Sequence, residues 1–357
     1  MGNSITVKDI AREAEVSIAT VSRALNNHSS IKEELRQHVL QVAADLGYFK
    51  TTDQGHSARN EKRALKVIGF ILAYSDLDEP PLDTFWSHIL HGAEIEARKS
   101  NIYVTYYGMS LSQPSYLLLS KLHEMRVGGL LLVGATGLET VQSLQAAKFP
   151  LVLVDNYVHI PGQPVDAVLS DNYEGTKEAI QYLLSEGHRQ IAFLGGPTTS
   201  SVQPPHTMIY TFERRRDGYR AALHEAGLPI QEELIIENCD VIKPDAVLAS
   251  CKRLLDSGYP FTALCCASDP LADKALNALR KLGVRVPEDI SVVGFDNNDI
   301  APHLTPPLTT VQVHKEAMGA MAVKSLMARI ADPEAIATTS ILSVELIKRG
   351  SVRSLHT

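Results

Sequence analysis

Residues Thr6 to Asn26 read TVKDIAREAEVSIATVSRALN, and the spacing of apolar residues in this stretch decides how the chain begins. From Val7 to Ala14, Ile10 and Ala14 share one helical face; from Ile18 to Leu25, Val21 and Leu25 do the same. Further on, Lys32 to Leu46 repeats Leu35, Val39, Val42 and Leu46 at helical spacing. Stripes this short cannot bury themselves singly, so three helices packed on one another are predicted. Thr6 three residues before Asp9, Ser17 before Ile18 and Ser30 three before Glu33 mark the starts, each offering a side-chain oxygen to free backbone N–H groups.

The second helix has the chemistry needed to enter a DNA major groove. Close approach requires small or hydroxyl-bearing residues, side chains at the helix start for base edges, and a cation for phosphate or guanine. SIATVSRALN supplies Ser17, Thr20, Ser22 and Asn26 for phosphates, Ile18 and Ala19 for thymine methyls, and Arg23 as the cation. Any amphipathic helical hairpin shows this spacing, so spacing alone leaves a purely structural hairpin open.

Outward from this unit, 357 residues exceed what one core organises, which predicts two or three compact units. Residues 1–63 carry nine Lys+Arg against eight Asp+Glu, and the remainder twenty-five against thirty-three. DNA repels an acidic body, so contact is expected from the head. Residues 51–66, polar with Gly55 and a basic end, read as a linker. From Val67 onward, β-branched runs alternate with helical patterns, as in parallel sheets with crossover helices. The runs ending in Asp155, Ser170, Ser268 and Asp296 place these residues where such sheets bind ligands. Cys239, Cys251, Cys265 and Cys266 lack metal or redox spacing and read as inert. The polar N-terminus carries no secretory signal, and no apolar run spans a bilayer, so a cytoplasmic protein without a membrane partner is expected.

The residue identities from Thr6 to Asn26 resemble the N-terminal signature of the LacI/GalR family of bacterial repressors. The resemblance continues in GHRQIAFLGGP (187–197), RRRDGY (214–219), SDPLA (268–272), VPEDISVVGFDN (286–297) and PPLTTV (306–311). It implies an α/β protein: an all-α helix-turn-helix head at 1–50, a linker or hinge at 51–66, and a periplasmic-binding-protein-like core of two doubly wound parallel-sheet subdomains. The expected N-terminal subdomain comprises 67–167 and 312–335, and the C-terminal one 168–311 and 336–357. Thr6 and His28 join the expected DNA contacts.

A sugar-type effector, a mono- or disaccharide, is expected in the cleft between the subdomains. A polyol needs planar donors, carboxylate acceptors and an aromatic face. Arg215, Asp296, Asp155 and Ser268 match the family's ligand positions, and Phe85 or Trp86 could supply the ring; for Trp86 a core role is equally open. Asp269 reads as the cap of the following helix. Three positions depart from the family: Glu15 replaces a turn glycine, Phe49–Thr51 replace the proline-asparagine step before a DNA-kinking hinge helix, and Ser268 replaces a frequent asparagine.

No dinucleotide-binding, phosphate-loop or nucleophile-elbow motif, no paired metal histidines and no cofactor signature are present, which argues against an enzyme. A transport sugar receptor on the same fold is the other alternative, and the helical head argues against it. One head covers few base pairs, so a homodimer on a palindromic double-stranded operator is expected; no C-terminal leucine heptad suggests a tetramer. Induction and co-repression both stay open.

Overall fold

The computed structural model describes residues 5–25, 28, 31–46, 48, 65–74, 84–110, 113–196, 209–240 and 244–356. The expected cap Ser30, the contact residue Asn26 and the linker from 51 to 64 lie outside them. Three helices form the head: α1 (Val7–Glu13), α2 (Ile18–Leu25) and α3 (Glu33–Asp45). Ile10, Ala14, Val21, Ala24, Val39 and Ala43 interlock as its core, with Leu25, Val42 and Leu46 packed around them. Leu35, expected in the α3 stripe, is instead exposed; one turn ahead of Val39, it lies beyond the reach of two helices this short.

The core begins with β1 (Val67–Tyr74), α4 (Thr84–Arg98), β2 (Tyr103–Ser110), α5 (Ser115–Glu124), β3 (Gly129–Val133), α6 (Leu138–Ala146), β4 (Leu151–Val154) and β5 (Asp166–Ser170). Next come α7 (Asn172–Ser185), β6 (Ile191–Leu194), α8 (Tyr210–Glu225), β7 (Ile235–Ile236), α9 (Pro244–Leu255), β8 (Ala263–Cys266), α10 (Asp269–Lys281), β9 (Ser291–Asp296) and β10 (Thr309–Gln312). The chain then returns through α11 (Lys315–Ala331), β11 (Thr339–Leu342) and β12 (Glu345–Ile347).

Two six-stranded sheets result, in the orders β11-β5-β4-β3-β1-β2 and β12-β10-β9-β8-β6-β7. Every described pairing is parallel except the antiparallel β10–β12. β3 and β4 are buried along their whole length, as strands covered by helices on both faces must be.

The chain crosses between the two lobes after β5, after β10 and after β11. Strand pairing corrects the boundaries expected from sequence. All of β5 belongs to the first sheet, and β11 pairs parallel with it from Thr339↔Ala167 to Leu342↔Ser170, so residues 168–170 and 339–342 join the first lobe. β11 is a half-exposed edge strand, and its weak apolar pattern carried no sign of its partner. Asp166 fastens this return: its carboxylate accepts from Arg329 Nε at 2.7 Å and from the Thr338 backbone N–H at 2.8 Å. α11 lies on α4 so closely that a Cβ on Gly92 or Gly319 would collide with the other helix's backbone.

Candidate functional site

In the head, local hydrogen bonds set the angle of α2. Ser17 Oγ accepts from the Thr20 backbone N–H at 3.0 Å and pairs with the Thr20 hydroxyl at 2.8 Å, capping the helix. At α1 the Asp9 carboxylate accepts from both the backbone N–H and the hydroxyl of Thr6, and these bonds hold its carboxyl below the usual range. Glu15 in the turn has φ 52°, the left-handed conformation for which the family uses glycine.

With Val21 and Ala24 buried inward, Ile18, Ala19, Ser22 and Arg23 all stand exposed on the opposite side of α2. Ile18 is 50% exposed, although apolar and adjacent to a core; burial alone does not account for its identity. Thr6, Ser17 and His28 are exposed and Thr20 is half-buried.

In the core, three of the expected effector residues converge at the carboxyl ends of strands. Arg215 on α8 is 3% exposed, and its guanidinium is held on several sides. Nε donates to Asn172 Oδ1 at 2.7 Å, Nη1 to the Ala267 carbonyl at 2.6 Å, and Nη2 lies 2.9 Å from Asp296 Oδ1. The ring of Phe295 stacks beneath it at 3.8 Å. Asp155, beyond β4 in the first lobe, feels both Arg215 and Asp296 of the second. Burial raises its carboxyl to about 7, Arg215 opposes that rise and Asp296 adds to it.

Asp155, Asp296 and Asn297 all have positive φ, at 55°, 107° and 44°. Three left-handed non-glycine residues at strand ends mark a site where geometry is imposed from outside the local sequence. Four buried polar atoms here have no protein partner: Asp155 Oδ1, Asn156 Nδ2, Ser170 Oγ and Asn298 Oδ1. An acceptor–donor mixture of this kind suits a ligand whose groups both donate and accept, as hydroxyls do.

The cap of α10 is Ser268 and not the expected Asp269. Ser268 Oγ, expected against the ligand, caps α10 by accepting from the Leu271 N–H at 3.4 Å. Asp269, expected as that cap, reaches across the second sheet to accept from the Asn298 N–H and the Thr310 hydroxyl. Ser268 already occupies the position before the first helical turn, which frees the following carboxylate for the adjacent strands. Phe85 is 6% exposed and packs in the first lobe's core, with its ring 5.6 Å from the Nζ of Lys315. Trp86, half-buried, sets its ring edge-on to Phe85 at 4.8 Å and lies over Gly134 beyond β3.

Sequence reasoning missed Asn172, Phe295 and Lys315. Lys315 is buried, and its Nζ donates to the carbonyls of Asp296 and Asn297 at 2.6 and 3.0 Å. The one signal available for it was a lysine opening a helix, where the dipole disfavours a cation. The four cysteines are free and buried; burial pushes the thiols of Cys251 and Cys265 up to about 12. Among the described residues no group of His, Cys, Asp or Glu is arranged to hold a metal ion.

A helix-turn-helix head ahead of a two-lobed, ligand-type α/β core defines a class of regulatory DNA-binding proteins. The family model of bacterial regulatory proteins, lacI family, matches residues 6–50, and that of the periplasmic binding protein-like domain matches 180–352. The chain is 32% identical to the repressor PurR of Photobacterium profundum, with 98% of this chain and 99% of that protein covered. It is 30% identical to the ribose operon repressor of Haemophilus influenzae, with 98% and 99% covered. A transcriptional regulator CelR–cellobiose complex superposes with a TM-score of 0.71 at 27% identity, over 97% of this chain and 99% of that one. The chain belongs to the lacI family of bacterial regulatory proteins.

Proposed function

We propose that this protein is a sequence-specific transcriptional repressor of carbohydrate-utilisation genes, without enzymatic activity, whose hold on its operator is set by a mono- or disaccharide bound between the lobes. One observation carries this reading: Asp155 of the first lobe and Arg215 and Asp296 of the second meet in a buried polar cluster, with unpartnered donors and acceptors beside it. A ligand hydroxyl placed there bonds to both lobes at once and so favours one lobe arrangement over others. The similarity to the ribose operon repressor and to the CelR–cellobiose complex supports a sugar.

On the DNA side, Ile18 and Ala19 meet base edges, while Thr6, Ser17, Thr20, Ser22, Arg23, Asn26 and His28 hold the phosphates, with Arg23 also able to reach guanine. A homodimer places two such helices on half-sites one helical turn apart. Action is expected in the cytoplasm; no helix among the described residues is long and apolar enough to cross a membrane.

Removing residues 1–63 tests the division of labour. The truncated chain is expected to lose duplex binding and to retain saccharide binding, followed through the fluorescence of Trp86, the only tryptophan. Retained duplex binding would overturn the assignment of the head.

A further inference from the structure

The loop that carries Asp296 is gripped from both lobes. On the second-lobe side, the Asn298 N–H donates to Asp269, and Arg349 Nη2 donates to Asn297 Oδ1 at 2.8 Å. On the first-lobe side, Lys315 at the start of α11 donates to the carbonyls of Asp296 and Asn297. A second first-lobe contact lies outside the cleft. His88 on α4 places Nε2 3.2 Å from both carboxylate oxygens of Asp299, 211 residues away in sequence. Its Nδ1 lies 3.4 Å from Glu316 Oε1 on α11. The glycine-mediated crossing of α4 and α11 at Gly92 holds His88 and Glu316 side by side.

We infer that His88 is a positioning residue for the regulatory response: by clasping Asp299 it fixes the loop 296–299 to the first lobe, and so sets the relative placement of the lobes. This rests on the proposed repressor function for its consequence at DNA, though not for the clasp itself. The chain of contacts is continuous. Arg215 holds Asp296, Asp296 opens the loop, Asp299 ends it, and His88 joins it to α4 and α11. A ligand that moves the Asp296 carboxylate therefore moves a loop anchored at three points to the first lobe's two principal helices. His88 contacts Asp299 and Glu316 and acts on the cleft only through the lobe arrangement.

His88 and Asp299 are partly exposed, at 37% and 61% of their side chains, so either can be replaced without emptying a core. An exposed pair of this kind shifts an equilibrium by about two- to fivefold.

The test uses the full chain with Glu124→Cys on α5 and Lys252→Cys on α9, both exposed positions, labelled with nitroxides; the native thiols are buried. Pulsed dipolar spectroscopy on labelled chain diluted in unlabelled protein reads the distance between the lobes. His88→Ala and Asp299→Ala are expected to shift or broaden that distribution in the same direction, and the double variant no further than His88→Ala alone. In parallel, affinity for a duplex selected by the wild-type protein from random sequence is expected to change by about two- to fivefold in one direction for all three variants. Unchanged distributions, or effects that add in the double variant, overturn the proposal. Failure of the repressor reading shows itself differently, as a wild-type protein that selects no duplex, and leaves the distance measurement decisive for the clasp.

Discussion

Replacing Asp155 by Asn is expected to stabilise the ligand-free protein progressively as pH rises from about 4 to about 7, and by a constant amount above that. The carboxyl is 8% exposed, its Oδ1 has no protein hydrogen-bond partner, and burial raises it from 3.8 to about 7. In the unfolded chain it ionises near its ordinary value, so between about pH 4 and pH 7 only the folded chain holds the proton. The raised carboxyl thus contributes stability that is fully present below about pH 4 and is lost as pH rises through about 7. That span corresponds to up to about 4 kcal/mol against the ionised form at pH 8. Asparagine cannot ionise, keeps nearly the same shape and tolerates the φ of 55° found here.

Thermal melts from pH 4.5 to 8.5 are the assay. Wild type and variant should lie within about 1 kcal/mol of each other at the acid end, diverge steadily up to about pH 7 and keep a constant gap above it, with the variant several degrees higher, at about 2–4 °C per kcal/mol. A variant less stable at pH 8, or a difference that does not vary with pH, would refute the reasoning. Asp269, raised by burial to about 7 as well, should behave differently, because it already accepts from Asn298 and Thr310 and an amide cannot accept both bonds equally.

Arg215→Met leaves the Asp296 carboxylate buried without its cation, and should cost about 3–5 kcal/mol and abolish saccharide binding; Arg215→Lys should rescue only part of this. Denaturant titration and Trp86 fluorescence report the two effects, and intact saccharide binding in the Met variant would remove Arg215 from the site. Glu15→Gly relieves the left-handed turn residue and should stabilise the head by about 1 kcal/mol, seen as slower amide exchange in α1 and α2; faster exchange would mean the glutamate is stabilising. Asp166→Ala strands Arg329 and unpins β11, with an expected loss of about 3 kcal/mol in a thermal melt. A loss below about 1 kcal/mol would demote this pair to an ordinary surface contact.

The fold was legible where periodicity is strong. The helices of the head and the β-branched runs from Val67 onward match observed elements, because burial on one or both faces writes directly into apolar spacing. β7, β10, β11 and β12 escaped notice: two are very short, and β11 is half-exposed at a sheet edge. The site was legible through the family motifs at Asp155, Arg215 and Asp296. What sequence cannot express is which neighbour a side chain meets after a crossover. Asn172, Lys315 and His88 each make their decisive contact with a residue of another segment. The capping of α10 by Ser268 and not Asp269 has the same origin, since both residues suit a helix start and only the position of Thr310 and Asn298 decides.

The central claim is most directly tested by fluorescence anisotropy of the full-length protein on a duplex selected from random sequence, repeated across a panel of mono- and disaccharides. A palindromic duplex bound well above a scrambled one is expected, with at least one saccharide changing its Kd by about 5- to 150-fold. A selected duplex bound no tighter than the scrambled one, or a saccharide that binds and leaves the Kd unmoved, would contradict the account.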